Sequence, residues 1–224
     1  MDLSLCLDQT HVLITGGSGF IGSATVSAFL SAGCLVTSLD LRAPMTNTSD
    51  KNLQHFTCDI GSEESLTEAF ASAAKTFGPI SCCVALAGLD LSFLEHHESL
   101  VDMSVEQWRK TMRVNVEGTF LTARTWLRHL QDLKTTNEKT EMRNVGLVIV
   151  GSESGIFGVK GNADYSAGKS AVQGGLLLSL VDDVARIWPG ARVNAVAPGA
   201  VDTVQFRKEC NEDPELFWLE AQAT

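Results

Sequence analysis

Short apolar runs alternate with longer amphipathic stretches along most of the chain. Six short runs are predicted to be buried strands, and they cover residues 11–15, 35–39, 54–58, 81–86, 145–150 and 192–196. A helical pattern follows the first run through Leu30, and two longer helical patterns cover roughly 104–130 and 163–187. Strands that alternate with helices are typical of a doubly wound parallel sheet. The pattern therefore predicts a three-layer α/β/α fold, and residues 1–224 are expected to form a single domain.

The first predicted strand leads directly into a glycine-rich turn, Gly16–Gly22, and then into a helix. Glycines allow a tight turn and a close approach to a pyrophosphate, whose charge is favoured by the N–H groups at the helix N-terminus. The second strand ends at Asp40, where a carboxylate can accept both ribose hydroxyls of an adenosine and repel a 2′-phosphate. NAD is therefore the predicted cofactor. NADP stays open because the guanidinium of Arg42 could bind that phosphate.

One helical pattern carries Tyr165 and Lys169, four residues apart. Their side chains are expected on one helical face, with Cβ atoms roughly 5–6 Å apart. A free phenol has a pKa of ~10, so it exchanges protons at neutral pH only if a nearby positive charge stabilises the phenolate. Ser152 follows the fifth predicted strand and is expected to hold a substrate oxygen while Tyr165 donates or accepts its proton. Alone, a Tyr-x-x-x-Lys pair is more often a solvated pair, but the upstream glycine turn favours catalysis.

Further candidate ligands follow the carboxyl ends of the other predicted strands. Asp59-Ile60 follows the third strand, and Ala87-Gly88 follows the fourth, where small residues let the backbone contact the adenosine and its ribose. Pro198-Gly199 follows the sixth strand. Ligands of open parallel sheets bind at this edge, so all these segments are expected to line one cleft.

With these motifs in place, the chain resembles the short-chain dehydrogenase/reductase family, in its smaller, single-domain branch with a Rossmann-like fold. The resemblance covers Val12 to about Thr203 and rests on Thr15-Gly16, Asp59, Asn115, Ser152, Tyr165, Lys169 and the segment 198–203. It implies that Tyr165 is the general acid/base, that Lys169 lowers the pKa of Tyr165 and holds the nicotinamide ribose, and that Ser152 orients the substrate oxygen. Asn115 would anchor a water-linked proton relay to Lys169.

The resemblance also implies the cofactor contacts and the reaction. Thr203 would lie near the nicotinamide carboxamide, and the reaction would be hydride transfer between an alcohol or ketone and the cofactor. The full set of expected cofactor-binding residues is Gly16, Ser18, Gly19, Phe20, Ile21, Gly22, Asp40, Leu41, Asp59, Ile60, Ala87, Gly88, Tyr165, Lys169, Pro198, Gly199, Val201 and Thr203.

Three features depart from the usual family pattern. The glycine spacing of Thr15–Gly22 is that of the extended branch, which includes nucleotide-sugar epimerases and dehydratases. Ala85–Gly88 stands where the family usually has Asn-Asn-Ala-Gly, so side-chain amides that brace the sheet are missing. The sequence ends at Thr224, so the last family strand is expected to be absent, and 204–224 is expected to be a substrate lid and a shortened C-terminal segment. An epimerase or dehydratase, or a non-catalytic cofactor-binding protein, is therefore the alternative.

Composition limits the partners. A net charge of −10 argues against nucleic acid or an anionic membrane as the main partner. No signal-length apolar run begins the sequence and no stretch approaches the ~18 apolar residues of a membrane span, so a cytoplasmic protein is expected. The resemblance implies that the two long helices pair across a two-fold axis in a homodimer or homotetramer, although packing on the sheet explains their apolar faces equally well.

The remaining reactive side chains predict no metal site. The six cysteines form no metal or disulfide pattern and are expected to be reduced. His96, His97 and His129 are expected to be solvated. The expected substrate is a hydrophobic alcohol or ketone, such as an intermediate of specialised metabolism, because of a set of apolar side chains near the predicted cleft and lid: Leu91, Phe93, Phe157, Phe206, Phe217 and Trp218.

Overall fold

Six parallel strands form one sheet in the order β3-β2-β1-β4-β5-β6. The computed structural model describes residues 6–43, 50–136 and 142–212. The strands are β1 His11–Thr15, β2 Leu35–Asp40, β3 Leu53–Thr57, β4 Cys82–Ala85, β5 Gly146–Val150 and β6 Arg192–Val196. The predicted doubly wound, Rossmann-like sheet is confirmed, and each of the six predicted strands is present with bounds that differ by no more than one residue.

Helices connect these strands. They are α1 Phe20–Ser31, α2 Glu63–Phe77, α3 Val105–Thr111, α4 Gly118–Thr135, α5 Ser154–Phe157, α6 Ala163–Ser170, α7 Leu177–Ile187 and α8 Val204–Glu212. A π-helical segment, Met112–Glu117, joins α3 to α4, and a second, Ala171–Leu176, joins α6 to α7. The two predicted long helices are therefore each continuous but contain a wider turn. Such turns are frequent at functional sites.

The central strands are buried on both faces, because successive side chains point to opposite sides of the sheet. Val12 and Ile14 of β1 pack in one apolar cluster with Val26 of α1. Leu13 lies on the other face, in the larger cluster that includes Trp126 of α4. These two cores account for a nearly continuous apolar run in β1 and for the three layers.

The strand order reverses direction between β1 and β4, which pair in parallel. The turns that follow these two strands leave the sheet in opposite directions and open a cleft between them. The carboxyl ends of all six strands lie at the same edge of the sheet. Every strand-end segment singled out from the sequence therefore reaches this edge.

His11 is a buried histidine at the other end of β1, and its exposed fraction is 2%. Its Nδ1 lies 2.8 Å from the carbonyl oxygen of Gly78, and its Nε2 lies 2.8 Å from Oγ1 of Thr37. A neutral imidazole that donates at Nδ1 and accepts at Nε2 satisfies both partners. Burial lowers the pKa of His11 from 6.5 to about 4.

Acidification should therefore destabilise the fold through His11. Between pH 6.5 and about pH 4 the unfolded chain binds a proton at this side chain that the folded chain does not, so stability falls as pH falls through that window. The full shift corresponds to about 3 kcal/mol. We expect His11→Gln to flatten the decrease in melting temperature between pH 7 and about pH 4.5, measured by calorimetry.

The matched control is His96→Gln, because His96 is exposed. This variant should keep the wild-type pH dependence. Lowered pKa values at His55 and His129 leave a residual slope in both variants. An unchanged slope in the His11 variant would contradict the assignment.

Candidate active site

Ser152, Tyr165, Lys169 and Asn115 are brought together at the carboxyl edge of β4 and β5. All four are buried, with exposed fractions of 8% or less. The Ser152 hydroxyl acts to lower the pKa of Tyr165, so the two side chains are neighbours, and Nζ of Lys169 lies 5.7 Å from the centroid of the Tyr165 ring. A Cβ atom added to Gly88 would lie 3.1 Å from Oδ1 of Asn115 and 3.7 Å from Nζ of Lys169. The residues that the sequence predicted as catalytic therefore form one cluster.

Ser152 is held by a side chain that the sequence analysis missed. Its backbone N–H donates to Oε1 of Gln173, 2.7 Å away, and its Oγ accepts from the N–H of Ser154 at 3.2 Å. The Gln173 side chain fills the space that a Cβ at Gly151 or Gly155 would take. The spacing in the sequence could have indicated Gln173, because it stands four residues after Lys169 and so lies on the same helical surface.

Lys169 is buried with its ammonium turned toward the sheet. Nζ donates to the carbonyl oxygen of Val150 at 2.9 Å. Burial lowers the pKa of Lys169 to about 8, and the negative charge of Asp90 partly opposes this shift. The ammonium is therefore compensated by hydrogen bonding and by a nearby carboxylate.

Tyr165 has a raised pKa rather than the lowered one expected from the sequence. Burial is the largest cause, Asp90 adds to it, and the hydrogen bond from Ser152 acts in the opposite direction. The expectation relied on Lys169, but its ammonium lies over the ring and donates to Val150. Desolvation of the phenolate outweighs that charge, so the neutral phenol is the favoured form.

Asn115 lies in the first π-helical segment, where its side chain contacts the backbone of Leu89. Oδ1 accepts from the Leu89 N–H at 2.7 Å, and Nδ2 donates to the Leu89 carbonyl oxygen at 2.9 Å. The amide thereby fixes the chain that follows β4. Its role in a proton relay to Lys169 stays a prediction.

The glycine-rich turn has the shape that a phosphate site requires. Gly16 adopts φ +74°, and a Cβ there would lie 2.7 Å from Cα of Ala87. A Cβ on Gly22 would collide with the carbonyl oxygen of Gly16. Helix α1 begins after Gly19 with no side-chain cap and no acidic residue in its first turn. Its N-terminal N–H groups therefore suit an anionic diphosphate, with Phe20 and Ile21 exposed beside it.

Asp40 faces this turn from the end of β2. Its two carboxylate oxygens accept from the N–H groups of Ser18 and Arg42, both at 3.0 Å. The Asp40 side chain is 9% exposed, whereas that of Arg42 is 61% exposed, and its guanidinium lies 5.9 Å from the centroid of the Phe93 ring. The fixed carboxylate fits a ribose diol, because each oxygen retains a lone pair. Leu41, between them, is 67% exposed.

The turn after β3 forms the next part of the cleft edge. Asp59 is half-exposed, accepts from the N–H of Gly61 at 2.8 Å and lies 3.5 Å from Arg113. The adjacent Ile60 is buried, where it packs against Gly118.

Thr15 braces the turn after β4, where the usual family amides are missing. Its Oγ1 accepts from the N–H groups of Leu86 at 3.1 Å and Ala87 at 3.2 Å. One hydroxyl thus takes over part of the expected bracing, at the position of Ala87-Gly88.

The segment after β6 contacts the loop that carries Ser152. The carbonyl oxygen of Pro198 accepts from the N–H of Glu153 at 3.0 Å. Thr203 caps α8, because its Oγ1 accepts from the N–H of Phe206 at 3.0 Å. Gly199 and the half-exposed Val201 lie between them. The predicted lid is helical over 204–212, and the rest of it, with Phe217 and Trp218, lies outside the described residues.

A buried polar network supports the helix that carries Tyr165. Asp164 is fully buried, and its Oδ2 accepts from Oγ1 of Thr111 at 2.6 Å and from Nε2 of Gln107 at 3.3 Å. Nε2 of His97 lies 2.9 Å from Oε1 of Gln107. The expectation of a solvated His97 was wrong, because this side chain is 8% exposed and tied to α3. The adjacent histidines indicated a surface loop, and the structural role of His97 was therefore not predicted.

His129 also differs from expectation. Its Nε2 accepts from the backbone N–H of Ile80 at 3.0 Å, and burial lowers its pKa. The thiols of Cys34, Cys58, Cys82 and Cys83 are free, and burial raises the pKa of each, to about 12 at Cys82. In the three described ranges, no group of three His, Cys, Asp or Glu side chains could hold a metal ion. None of the described helices is long and apolar enough to cross a membrane.

Comparison with known proteins agrees with this geometry. The chain matches the short chain dehydrogenase family over residues 10–215. It is 32% identical to a short-chain dehydrogenase of Neurospora crassa, over 94% of this chain and 81% of the relative. It is 30% identical to an acetoacetyl-CoA reductase of Synechocystis, over 90% of this chain and 75% of the relative.

A solved structure has the same fold. A short chain dehydrogenase of Leptospira borgpetersenii with bound NAD+ aligns with a TM-score of 0.77 at 23% identity, over 91% of this chain and 76% of its own. This likeness agrees with the sheet order. The chain belongs to the short-chain dehydrogenase/reductase family and is an oxidoreductase of alcohols or ketones that uses a nicotinamide cofactor.

Proposed function

We propose that this protein interconverts an apolar ketone and its alcohol with NADH and NAD+, and that Tyr165 is the general acid/base. The observation that supports this most strongly is the buried phenol of Tyr165, which has the Ser152 hydroxyl beside it and the Lys169 ammonium over its ring. These groups lie at the carboxyl edge of the sheet, where the glycine-rich turn follows β1. The arrangement combines a proton donor, an oxygen-binding hydroxyl and a phosphate-binding helix terminus.

Because its pKa is raised, Tyr165 of the free protein is protonated, which is the form that ketone reduction requires. A neutral phenol is ready to give its proton to a carbonyl oxygen held by Ser152. In ketone reduction the carbonyl carbon receives a hydride while the oxygen receives the Tyr165 proton, and the alcohol results. A nicotinamide supplies the hydride when bound. In the opposite direction Tyr165 must first lose its proton, so alcohol oxidation should require higher pH.

NAD is the cofactor that Asp40 favours. A 2′-phosphate would bring negative charge close to a carboxylate that two backbone N–H groups hold in place. Arg42 has its guanidinium over Phe93 and 3.7 Å from Asp40, where it partly neutralises this carboxylate. The same contacts compete with a phosphate for the guanidinium. The diphosphate would be held at the α1 N-terminus, and Lys169 would hold the nicotinamide ribose.

An apolar substrate is supported by exposed apolar side chains in the segments that follow the strands. Leu91 and Phe93 follow β4, Phe157 ends α5, and all three are more than one-third exposed at the same edge of the sheet. Phe206 on α8 is half-buried. These side chains can cover an apolar ligand without polar groups that lack partners.

The two long helices provide a surface for a second copy of the chain. Trp108 and Phe120 are exposed and border a shallow groove along α3, the first π-helical segment and α4. We infer that this face is buried in a homodimer or homotetramer. A monomer in sedimentation equilibrium at tens of micromolar would contradict this assembly.

Hydride transfer can be tested directly with NADH deuterated at C4. Incubation with a panel of apolar ketones should give alcohols with deuterium on the carbinol carbon, detected by mass spectrometry. We expect kcat/KM with NADH to exceed that with NADPH by at least about tenfold, since Asp40 repels the extra phosphate. Substitution Asp40→Ser should reduce this preference.

Two outcomes would contradict the proposal. Turnover of a nucleotide sugar without net nicotinamide consumption would favour the extended-branch alternative. Tight NADH binding without reduction of any ketone or oxidation of any alcohol would favour a non-catalytic cofactor-binding protein.

Gln173 is expected to act on the reaction by positioning Ser152. Gln173→Leu keeps the side-chain size but leaves the Ser152 N–H without its acceptor, so the hydroxyl should lose its placement. We expect kcat to fall about tenfold while the Kd for NADH changes little. Gln173→Glu keeps an acceptor at the same position and should recover most of the loss. If both variants lose kcat equally, or if the loss is mainly in NADH affinity, the positioning role is wrong.

A further inference from the structure

Asp90 stands in the loop that passes over the catalytic cluster. The loop approaches Lys169 closely at Gly88, where an added Cβ would lie 3.7 Å from Nζ of Lys169. The next residue, Leu89, is held at both its N–H and its carbonyl by the side chain of Asn115. The backbone that enters Asp90 is therefore held by Asn115 and passes close to Lys169.

The carboxylate of Asp90 is itself held in place. Its Oδ1 accepts from the N–H of Ser92 at 2.9 Å, and it caps the short 3₁₀ turn Leu91–Phe93. The residue is solvent-exposed. A capping bond of this kind keeps the negative charge beside the cluster instead of allowing it to swing into solvent.

The charge of Asp90 acts on both reactive side chains. It raises the pKa of Tyr165 and also raises that of Lys169. The other charged groups around Tyr165 are Lys169 over its ring, Asp164 on the same helix and Glu153 in the loop after β5. Asp164 is bound to Thr111 and Gln107 of α3. Asp90 is thus an exposed negative charge close enough to the cluster to act on Tyr165 and Lys169.

We propose that Asp90 is a specificity-determining residue that excludes substrates with an anionic group next to the reacting carbonyl and thereby selects uncharged ketones and alcohols. This inference rests on the proposed function and names the substrate class of that site. A carboxylate on the substrate would approach the fixed carboxylate of Asp90, and the two like charges would repel. The apolar Leu91 and Phe93 that follow Asp90 are compatible with an uncharged ligand.

The test compares two ketones of nearly the same shape, methyl acetoacetate and the acetoacetate anion, in wild type and Asp90→Asn. Asparagine keeps an oxygen that can accept from the Ser92 N–H but removes the charge. We expect the kcat/KM ratio of acetoacetate to the ester to rise about two- to fivefold. The increase should shrink in about 1 M salt, because it is Coulombic. Asp102→Asn, an exposed aspartate of the same segment, should leave the ratio unchanged.

A second readout does not depend on turnover. Tyr165 is the only tyrosine in the chain, so tyrosinate absorbance reports its ionisation alone. Asp90→Asn should lower the pKa of Tyr165, and Asp102→Asn should not. If the wild type reduces neither ketone, the proposed function is judged on the wider ketone panel, and the comparison of these two ketones moves from turnover to binding. The thermal shifts that the two ketones cause in the NAD+ complex then give the ratio of their binding affinities, which replaces the kcat/KM ratio. An unchanged ratio, or an unmoved tyrosine titration, in Asp90→Asn overturns the inference.

Discussion

Desolvation of Tyr165 and Lys169 is the constraint on which the rest of the site depends. Burial raises the pKa of the phenol and lowers that of the ammonium to about 8, so both groups are pushed toward their neutral forms. The surrounding contacts compensate this burial in different ways. Val150 accepts from the ammonium and the Ser152 hydroxyl favours the phenolate, whereas Asp90 opposes the effect of burial on the pKa of Lys169 and adds to it at Tyr165. The site is therefore poised for proton donation.

The fold determines where this compensation comes from. Strands β4 and β5 end beside each other, so the Asn115-braced loop and the Ser152 loop meet over α6. The two π-helical segments carry Asn115 and Gln173, and each of these amides binds the backbone of a strand-end loop. A regular α-helix would present a different register of side chains at these points. The wider turns thus link the helices to the loops that carry the chemistry.

Much of the fold was predictable because the sheet is buried on both faces. Apolar runs such as β1 have few alternatives to a central parallel strand, and a glycine turn followed by Asp40 specifies the order of strand, turn and helix. Ser152 and most of the cofactor-binding candidates were predictable for the same reason, since they follow strand ends, whereas Asn115, Tyr165 and Lys169 lie within helices and were found from the family motif. That the structure places them in one cluster follows from the parallel topology, whereas their chemical roles stay predictions.

Long-range contacts were not predictable from local pattern. Gln173 and Gln107 lie in helical stretches where a glutamine is normally expected at the surface. Both side chains instead form hydrogen bonds inside the protein, Gln173 as an acceptor and Gln107 as a donor. His97 was wrongly expected in solvent because its partner is on α3, across the loop. The direction of the Tyr165 pKa depended on burial and on where the Lys169 ammonium points. Spacing along one helix contains neither quantity.

The most direct test of the account is the turnover of Tyr165→Phe, measured alongside its affinity for NADH. Loss of the hydroxyl removes the proton donor but keeps the ring under the Lys169 ammonium, so the fold and the cofactor site should persist. The account predicts a fall in ketone reduction of about 10²–10⁴-fold with little change in the Kd for NADH. Turnover within a few-fold of wild type would contradict it, because the phenol would then not be the general acid.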